Sequence, residues 1–245
     1  MKLSGYYEIA GKFLFRWRSY LPLIIIAGLI LDVLLVGNNS SRSMISGRWQ
    51  LFCFGITLLG EIIRIIVNGT VPAGTSGRGT KELKAAHLNV DGFYSMVRHP
   101  LYLGNCLMWI GASFFFQKWY FPVIIVLIFL AYYWCIIKYE ERFLESKFGD
   151  EYKQWSAKVP ALIPSFKNYT KSALSFSLKA SLKKEHDSVF ASVAIFYFFD
   201  IVHNYKLTHS FALSNNWFCL FMISTPLWFI LKICKKINWL DVIGR

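Results

Sequence analysis

The segment RHPLYLGNCLMWIGASFFFQKWYFPVIIVLIFLAYYWCIIKYEER, residues 98–142, decides the fold of this chain. It contains two apolar blocks, Leu101–Phe116 and Tyr120–Ile137, and only the short sequence QKWY separates them. Such blocks are typical of helices that cross a bilayer, for which about 20 apolar residues are needed. The short connection predicts a tight helical hairpin whose two outer ends lie on the same side of the membrane.

The two outer ends of this hairpin carry charged residues. Arg98 and His99 precede the first block, and Glu140 and Glu141 follow the second. The hairpin brings these pairs together although they are distant in sequence, so that opposite charges would line one pocket at the lipid boundary. The alternative is that Arg98 is a topogenic charge and the glutamates begin a solvated helix, because basic residues are common at the ends of spans.

Composition predicts an integral membrane protein. Apolar residues make up 55% of the 245 residues and occur in blocks. The formal net charge is +13, but the basic residues lie between the blocks, where topology and anionic lipid explain them better than nucleic acid does. The five cysteines have no metal-binding or disulfide spacing, so no metal site is expected.

The predicted fold is an all-α, polytopic membrane helical bundle of about six spans. The candidate spans are Leu21–Val36, Leu51–Val67, Leu101–Phe116, Tyr120–Ile137, Val189–Val202 and Trp217–Ile233.

The basic residues orient this bundle. With six spans, 22 of the 27 Lys and Arg residues lie on one side and four on the other, while Arg64 lies within a span. The positive-inside rule then places both termini and the charged ends of the hairpin in the cytoplasm. Residues 166–188 mix lysine with apolar side chains, which fits either an amphipathic surface helix or a basic connector.

The turn that follows Arg98 has the features of an anion-binding site. Pro100 suits the first turn of a helix, where its missing N–H costs little, and Tyr102 and Gly104 lie on the same opening turn. With His99, this turn places an imidazole, a phenol and backbone N–H groups at a helix N-terminus, an arrangement that binds anions.

These motifs resemble those of the integral membrane methyltransferases, which include the isoprenylcysteine carboxyl methyltransferases and the phospholipid N-methyltransferases. The resemblance covers roughly residues 45–165. It rests, in order, on Gly92-Phe93-Tyr94, RHPLY at 98–102, EE at 140–141, FGDEYKQW at 148–155 and VPALIP at 159–164. It implies a cytosolic cofactor pocket that caps the core helices and binds S-adenosylmethionine.

The resemblance also implies a set of site residues. Those expected to bind S-adenosylmethionine are Arg98, His99, Tyr102, Gly104, Glu140 and Glu141, with Arg98 and Gly104 in supporting roles. The glutamates would offset the sulfonium and ammonium of this molecule, while imidazole, guanidinium or helix N–H groups would hold its carboxylate. Methyl transfer is an in-line displacement that depends mainly on positioning.

Two charged residues inside the second predicted span are further candidates. Glu61 and Arg64 are three residues apart, and charged residues within a span are functional candidates. The alternative is an (i, i+3) ion pair near the interface. Arg64, as the ligand of an anionic group on the acceptor, and Glu141 are the candidates for a catalytic role. The glycine-rich loop at 72–87 is interpreted as a flexible gate or a plain loop.

The predicted organisation has three parts: an N-terminal membrane anchor helix at 1–44, a methyltransferase core at 45–165, and a basic connector with two spans at 166–245. The predicted acceptor is amphiphilic: a prenylcysteine carboxylate, a lipid phosphate or a phospholipid headgroup, of which the basic surroundings favour an anionic one. The expected partners are a membrane lipid or lipidated substrate and an anionic lipid surface. An NADPH-dependent membrane sterol-type reductase, which has a similar sequence ending, and a non-catalytic scaffold are the alternatives.

Overall fold

The computed structural model describes residues 2–18, 20–35, 45–75, 83, 85–209 and 215–245. Within these ranges the chain forms helices and no strand. The α-helices, in chain order, are α1 (Lys2–Trp17), α2 (Leu21–Leu35), α3 (Gly47–Thr70), α4 (Pro100–Phe114), α5 (Tyr120–Phe148), α6 (Asp150–Ser156), α7 (Leu178–Thr208) and α8 (Asn215–Lys236).

The fold is the all-α membrane bundle that the sequence predicted. Over the described residues, α3, α5, α7 and α8 are long and apolar enough to cross a bilayer, and the bent pair formed by α1 and α2 is a fifth candidate. Helix α4 has 15 residues and is short for a span by itself. Each of the six predicted spans nevertheless coincides with a helix.

Helices α4 and α5 form the predicted hairpin. The two helices are antiparallel, because Tyr102 on the first turn of α4 contacts Glu140 near the end of α5. Helix α5 continues for 29 residues without a break, so the apolar span and the Glu140–Glu141 pair lie on one rigid element.

Glycines allow α3 and α4 to pack closely. A Cβ atom added to Gly104 would lie 2.8 Å from the carbonyl oxygen of Gly60 and 2.7 Å from Cγ of Arg64. Small residues at a membrane helix interface let backbones approach in this way. The contact holds Arg64 of α3 against the first turns of α4.

Helix α7 is much longer than the predicted span Val189–Val202. It begins at Leu178 and therefore includes residues 178–188, the second half of the segment interpreted as a surface helix or connector. The physical reason is that polar side chains on its first turns face α3 and find partners there. Ser181, for example, donates to the carbonyl oxygen of Ile65 at 2.7 Å.

The predicted N-terminal anchor region contains two helices, α1 and α2. Helix α1 packs on α5, where the Tyr132 hydroxyl donates to the carbonyl oxygen of Leu14 at 2.7 Å. Helix α2 lies against α7. Residues 1, 19 and 36–44 of the predicted anchor region lie outside the described residues.

An aromatic core fills the end of the bundle away from the charged pairs. It includes Phe115, Phe116, Phe121, Phe196 and Phe199, all buried. Asp200 lies beside this core and is buried. It accepts hydrogen bonds from Nε2 of Gln50 at 3.2 Å and Nδ2 of Asn204 at 3.1 Å, which compensate for its burial.

Candidate active site

The Arg98–His99–Pro100 turn is held in place by the segment that follows α6. The backbone N–H of Arg98 donates to the carbonyl oxygen of Pro160 at 2.9 Å, and that of His99 donates to Ala161 at 3.2 Å. These two backbone hydrogen bonds connect the RHPLY and VPALIP motifs directly, although the motifs are about 60 residues apart in sequence. His99 occupies the N-cap position of α4 without a capping hydrogen bond from its side chain, and Pro100 occupies the first turn as expected.

Arg98 connects the turn before α4 with α5 and with the end of α6 and the residues that follow it. Its Nε lies 2.9 Å and its Nη2 2.7 Å from Oε1 of Glu141, and its Nη1 donates at 2.8 Å to the carbonyl oxygens of both Ser156 and Val159. Lys138 holds the other oxygen of Glu141 at 3.0 Å. Most donors of Arg98 therefore serve the protein itself, which suits a supporting role.

Glu140 lies at the centre of a second cluster. Its Oε1 accepts a hydrogen bond from the Tyr102 hydroxyl at 2.5 Å and lies 3.8 Å from Nη1 of Arg18. Its Oε2 is 3.6 Å from Nδ1 of His99. The adjacent glutamates of α5 thus have different surroundings: Glu141 is bound by two cations, whereas Glu140 meets a phenol, an imidazole and a more distant guanidinium.

His99 is buried and lacks a regular partner at one nitrogen. Its ring stacks on that of Tyr102, with centroids 5.6 Å apart. Its Nε2 has no hydrogen-bond partner among the described residues, and Oε1 of Glu141, 3.5 Å away, is too distant for a regular bond. Because an unsatisfied buried polar atom is costly, this nitrogen is suited to a polar group of a ligand.

Two further tyrosines surround the clusters outside the membrane. Burial, and next the charge of Glu140, raises the pKa of Tyr94 above its ordinary value. Burial, and next the charge of Glu141, does the same to the pKa of Tyr152. Both phenols consequently keep their protons near neutral pH and can act as hydrogen-bond donors.

A single cavity of about 1290 Å³ connects the charged end with the interior of the bundle. Arg98, His99, Tyr102, Glu140 and Tyr94 belong to its polar wall. The opposite part is apolar and is formed by side chains of α2, α4, α5 and α7, among them Leu29, Met108, Ala112, Ile125 and Phe196. Ligand cavities commonly have about 300–1,000 Å³, so this space is large for a single ligand.

Arg64 lies in the wall of the cavity between its polar and apolar parts. Its guanidinium does not pair with Glu61, as one interpretation of the sequence proposed, but binds both carboxylate oxygens of Glu185 on α7. Glu61 instead accepts hydrogen bonds from Ser188 at 2.6 Å and Ser192 at 3.1 Å. A role for Arg64 toward an acceptor remains a prediction.

The structure therefore brings most of the predicted site residues to one place. Those in the cavity wall are Arg64, Arg98, His99, Tyr102 and Glu140. Glu141 and Gly104 do not line the cavity but contact residues that do. Glu141 forms an ion pair with Arg98, and Gly104 permits the close contact of α4 with Arg64 on α3. Of the loop at 72–87, residues 76–82 and 84 lie outside the described residues.

Polar residues of the cavity wall that were not predicted as site residues include Arg18, Tyr94, Asn105 and Glu185. Tyr94 belongs to the Gly92-Phe93-Tyr94 motif, and its place in that motif could have indicated that it is a site residue. Arg18 and Glu185 come from parts of the chain that the motifs do not include, so no pattern could have assigned them to the site.

Comparison with known proteins finds similarity in the region that contains Arg98, His99, Tyr102 and Glu140. A family model described as phospholipid methyltransferase matches residues 49–151. The chain is 32% identical over 119 residues to a protein-S-isoprenylcysteine O-methyltransferase of Schizosaccharomyces pombe, with 47% of this chain and 50% of that protein covered. It is 26% identical over 122 residues to protein-S-isoprenylcysteine O-methyltransferase B of Arabidopsis thaliana, with 48% and 61% covered.

A shorter similarity leads to a protein with a different description. The cobalt-zinc-cadmium resistance protein CzcN of Cupriavidus metallidurans is 33% identical over 82 residues, which are 34% of this chain and 38% of that protein. The chain thus spans about half the length of the curated relatives it matches. No solved structure matches it. Residues 49–151 are thus similar to the phospholipid methyltransferase family, and the chain is similar to two proteins named as isoprenylcysteine O-methyltransferases.

Proposed function

We propose that this protein is an integral membrane methyltransferase that uses S-adenosylmethionine to methylate an amphiphilic acceptor. The observation that carries the proposal is the continuous cavity, with the Glu140 cluster at one end and an apolar wall at the other. A polar cofactor and a lipid-like acceptor have opposite solvent preferences. One space with both kinds of wall can bring them into contact.

The polar end fits the charged part of S-adenosylmethionine. Glu140 offers a carboxylate to the ammonium or sulfonium, and Tyr102 fixes its orientation from one side. His99 offers the unsatisfied Nε2, and the protonated phenol of Tyr94 adds a donor. Arg98 and Glu141 would act indirectly, because their mutual ion pair positions His99.

The chemistry needs positioning more than proton transfer. Bound S-adenosylmethionine supplies a methyl group on a sulfonium: a bond forms from the acceptor atom to the methyl carbon, and the S–C electron pair moves to sulfur to leave a neutral thioether. A carboxylate or phosphate acceptor is already ionised and needs no base, whereas an amine must first lose a proton. The contribution of the chain is to hold both reactants in line and to keep water out of a buried site.

The acceptor would enter with its tail in the apolar part of the cavity. There, α2, α4 and α7 provide aliphatic and aromatic side chains, as the transfer of a lipid chain from the bilayer requires. The acceptor types under consideration are the prenylcysteine carboxylate, the lipid phosphate and the phospholipid headgroup. The names of the relatives in the comparisons support the first and third types.

The proposed orientation places the charged clusters and both termini in the cytoplasm. It is supported by the 22 of 27 basic residues that a six-span topology puts on one side. Lys and Arg near the surface also attract anionic lipid, each by about 1 kcal/mol. An anionic lipid surface is therefore the proposed environment of the site.

Labelled methyl transfer in membranes tests the proposal. Membranes that contain the full chain are incubated with methyl-labelled S-adenosylmethionine, and the lipid extract is compared with that of membranes without it. The wild type should label a lipid-soluble product, and His99→Ala should not. The matched control is His209→Asn, since His209 is exposed at the end of α7 with a positive φ that Asn tolerates. Absence of any labelled product with the wild type, or equal labelling by His99→Ala, would overturn the proposal.

A further inference from the structure

The ion pair between Arg64 and Glu185 has the geometry of a bound carboxylate ligand. Nε of Arg64 lies 3.0 Å from Oε2 of Glu185, and Nη2 lies 3.0 Å from Oε1 and 2.7 Å from Oε2. Nη1 of Arg64 donates to the side-chain oxygen of Asn105. Asn68 donates to Oε1 of Glu185 at 2.5 Å. The planar guanidinium fork, which matches carboxylate and phosphate groups, is therefore filled by a side chain of the protein itself.

The position of this pair is where the headgroup of an acceptor would lie. Arg64 and Glu185 are both part of the cavity wall. Asn105, which Arg64 contacts, is three residues after Tyr102 on α4, a separation of roughly 4.5 Å along the helix axis. Farther along α4, away from Tyr102, the Thr57 hydroxyl of α3 donates to the carbonyl oxygen of Met108, where the apolar part of the cavity begins. The pair thus separates the cofactor end from the lipid end.

We propose that Glu185 determines the headgroup selectivity of the site by occupying the anion-binding fork of Arg64. This inference rests on the proposed function and concerns which acceptors that function takes. An anionic headgroup can bind Arg64 only by displacing the carboxylate of Glu185, whereas a neutral or amine headgroup need not displace it. Because Glu185 is buried, displacement leaves a charged group without its main partner, which is costly.

Glu185 lies outside the region that the family model matches. The proposed selectivity therefore belongs to this chain and not to the matched core. Arg64 lies inside residues 49–151, the part that the family model covers, while Glu185 lies outside it on α7. The first turns of α7 are fixed against α3 by Ser181, one turn before Glu185. The segment after the core therefore reaches back into the site and changes the charge that an acceptor meets there.

The experiment uses the full chain in phosphatidylcholine nanodiscs and two probes with the same tail, palmitate and palmityl alcohol. The apparent affinity of each probe is measured from the rise in thermal unfolding temperature as its mole fraction increases. We expect the wild type to bind palmitate no better than the alcohol. Glu185→Gln replaces the carboxylate by a neutral amide that an anionic headgroup displaces more easily from the guanidinium. The affinity for palmitate should therefore rise by about tenfold or more, with that for the alcohol unchanged.

A matched variant separates this effect from a general change of charge. Asp187→Asn removes one carboxylate from the same helix and the same cavity wall, but Asp187 accepts from Nε1 of Trp228 and has no bond to Arg64. It should leave the palmitate-to-alcohol ratio unchanged. Glu185→Asp keeps the charge, shortens the side chain, and should give an intermediate ratio if Glu185→Gln does not fold.

The inference is overturned if Glu185→Gln, or in its place Glu185→Asp, binds palmitate with wild-type affinity. It is also overturned if Asp187→Asn shifts the ratio as much as the change at Glu185. S-adenosylhomocysteine binding is measured on the same wild-type sample. Its absence would reject the proposed function, whereas the ratio of the two probes reports on Glu185 alone.

Discussion

Replacement of Arg98 by alanine tests whether the ion pair between Arg98 and Glu141 joins the RHPLY motif to the EE motif. In the structure this guanidinium contacts Glu141 at 2.7 Å and the carbonyl oxygens of Ser156 and Val159 at 2.8 Å each. Removing one member of a buried ion pair costs about 3–5 kcal/mol. Lys138 stays 3.0 Å from Glu141 and limits the loss, so we expect a decrease in the free energy of unfolding of about 3 kcal/mol.

The assay is denaturant-induced unfolding of the purified protein in detergent micelles. Lys153→Ala is the matched control, because Lys153 forms ion pairs with Glu145 at 4.0 Å and Asp150 at 3.7 Å while its side chain is 61% exposed. Exposed pairs contribute less than about 1 kcal/mol, so this variant should remain close to the wild type. If Arg98→Ala is as stable as Lys153→Ala, the ion pair does not hold the two motifs together.

Two other substitutions test the packing and the second cluster. Gly104→Ala places a methyl group against the backbone of Gly60 and should destabilise the protein by about 1–3 kcal/mol in the same assay. Gly55→Ala, where a Cβ atom meets nothing within 4 Å, should be neutral or stabilising, and equal stabilities would contradict the close contact of α3 with α4. Tyr102→Phe removes the hydrogen bond to Glu140 and should weaken S-adenosylhomocysteine binding by up to about tenfold in a calorimetric titration. An unchanged dissociation constant would show that Tyr102 does not orient Glu140.

The hairpin could be predicted because its information is local. Two apolar blocks, a short connection and charged ends determine that Arg98 and Glu141 lie on the same side, and the structure brings them within 2.7 Å of each other. The motif after α6 was recognised only by resemblance. Periodicity does not reveal that the backbone of Pro160 and Ala161 accepts hydrogen bonds from that of the RHPLY turn.

The contribution of α7 could not be predicted for a physical reason. Glu185, His186 and Asp187 interrupt the apolar pattern, so a scan for hydrophobic segments places the start of the span after them. In the structure, Glu185 is satisfied by Arg64 and Asn68 on α3, which permits the helix to begin earlier. Hydrogen bonds and ion pairs between side chains that are distant in sequence cannot be recognised from the local sequence.

The central claim is that the Glu140 cluster binds the charged part of S-adenosylmethionine. Isothermal titration of S-adenosylhomocysteine into the purified full chain tests it most directly, with Glu140→Gln compared with Glu151→Gln, a change at an exposed position on α6. We predict wild-type affinity for Glu151→Gln and an affinity at least about tenfold lower for Glu140→Gln, which loses a charge-assisted contact with the ammonium. Equal binding by the two variants, or no binding by the wild type, would contradict the account.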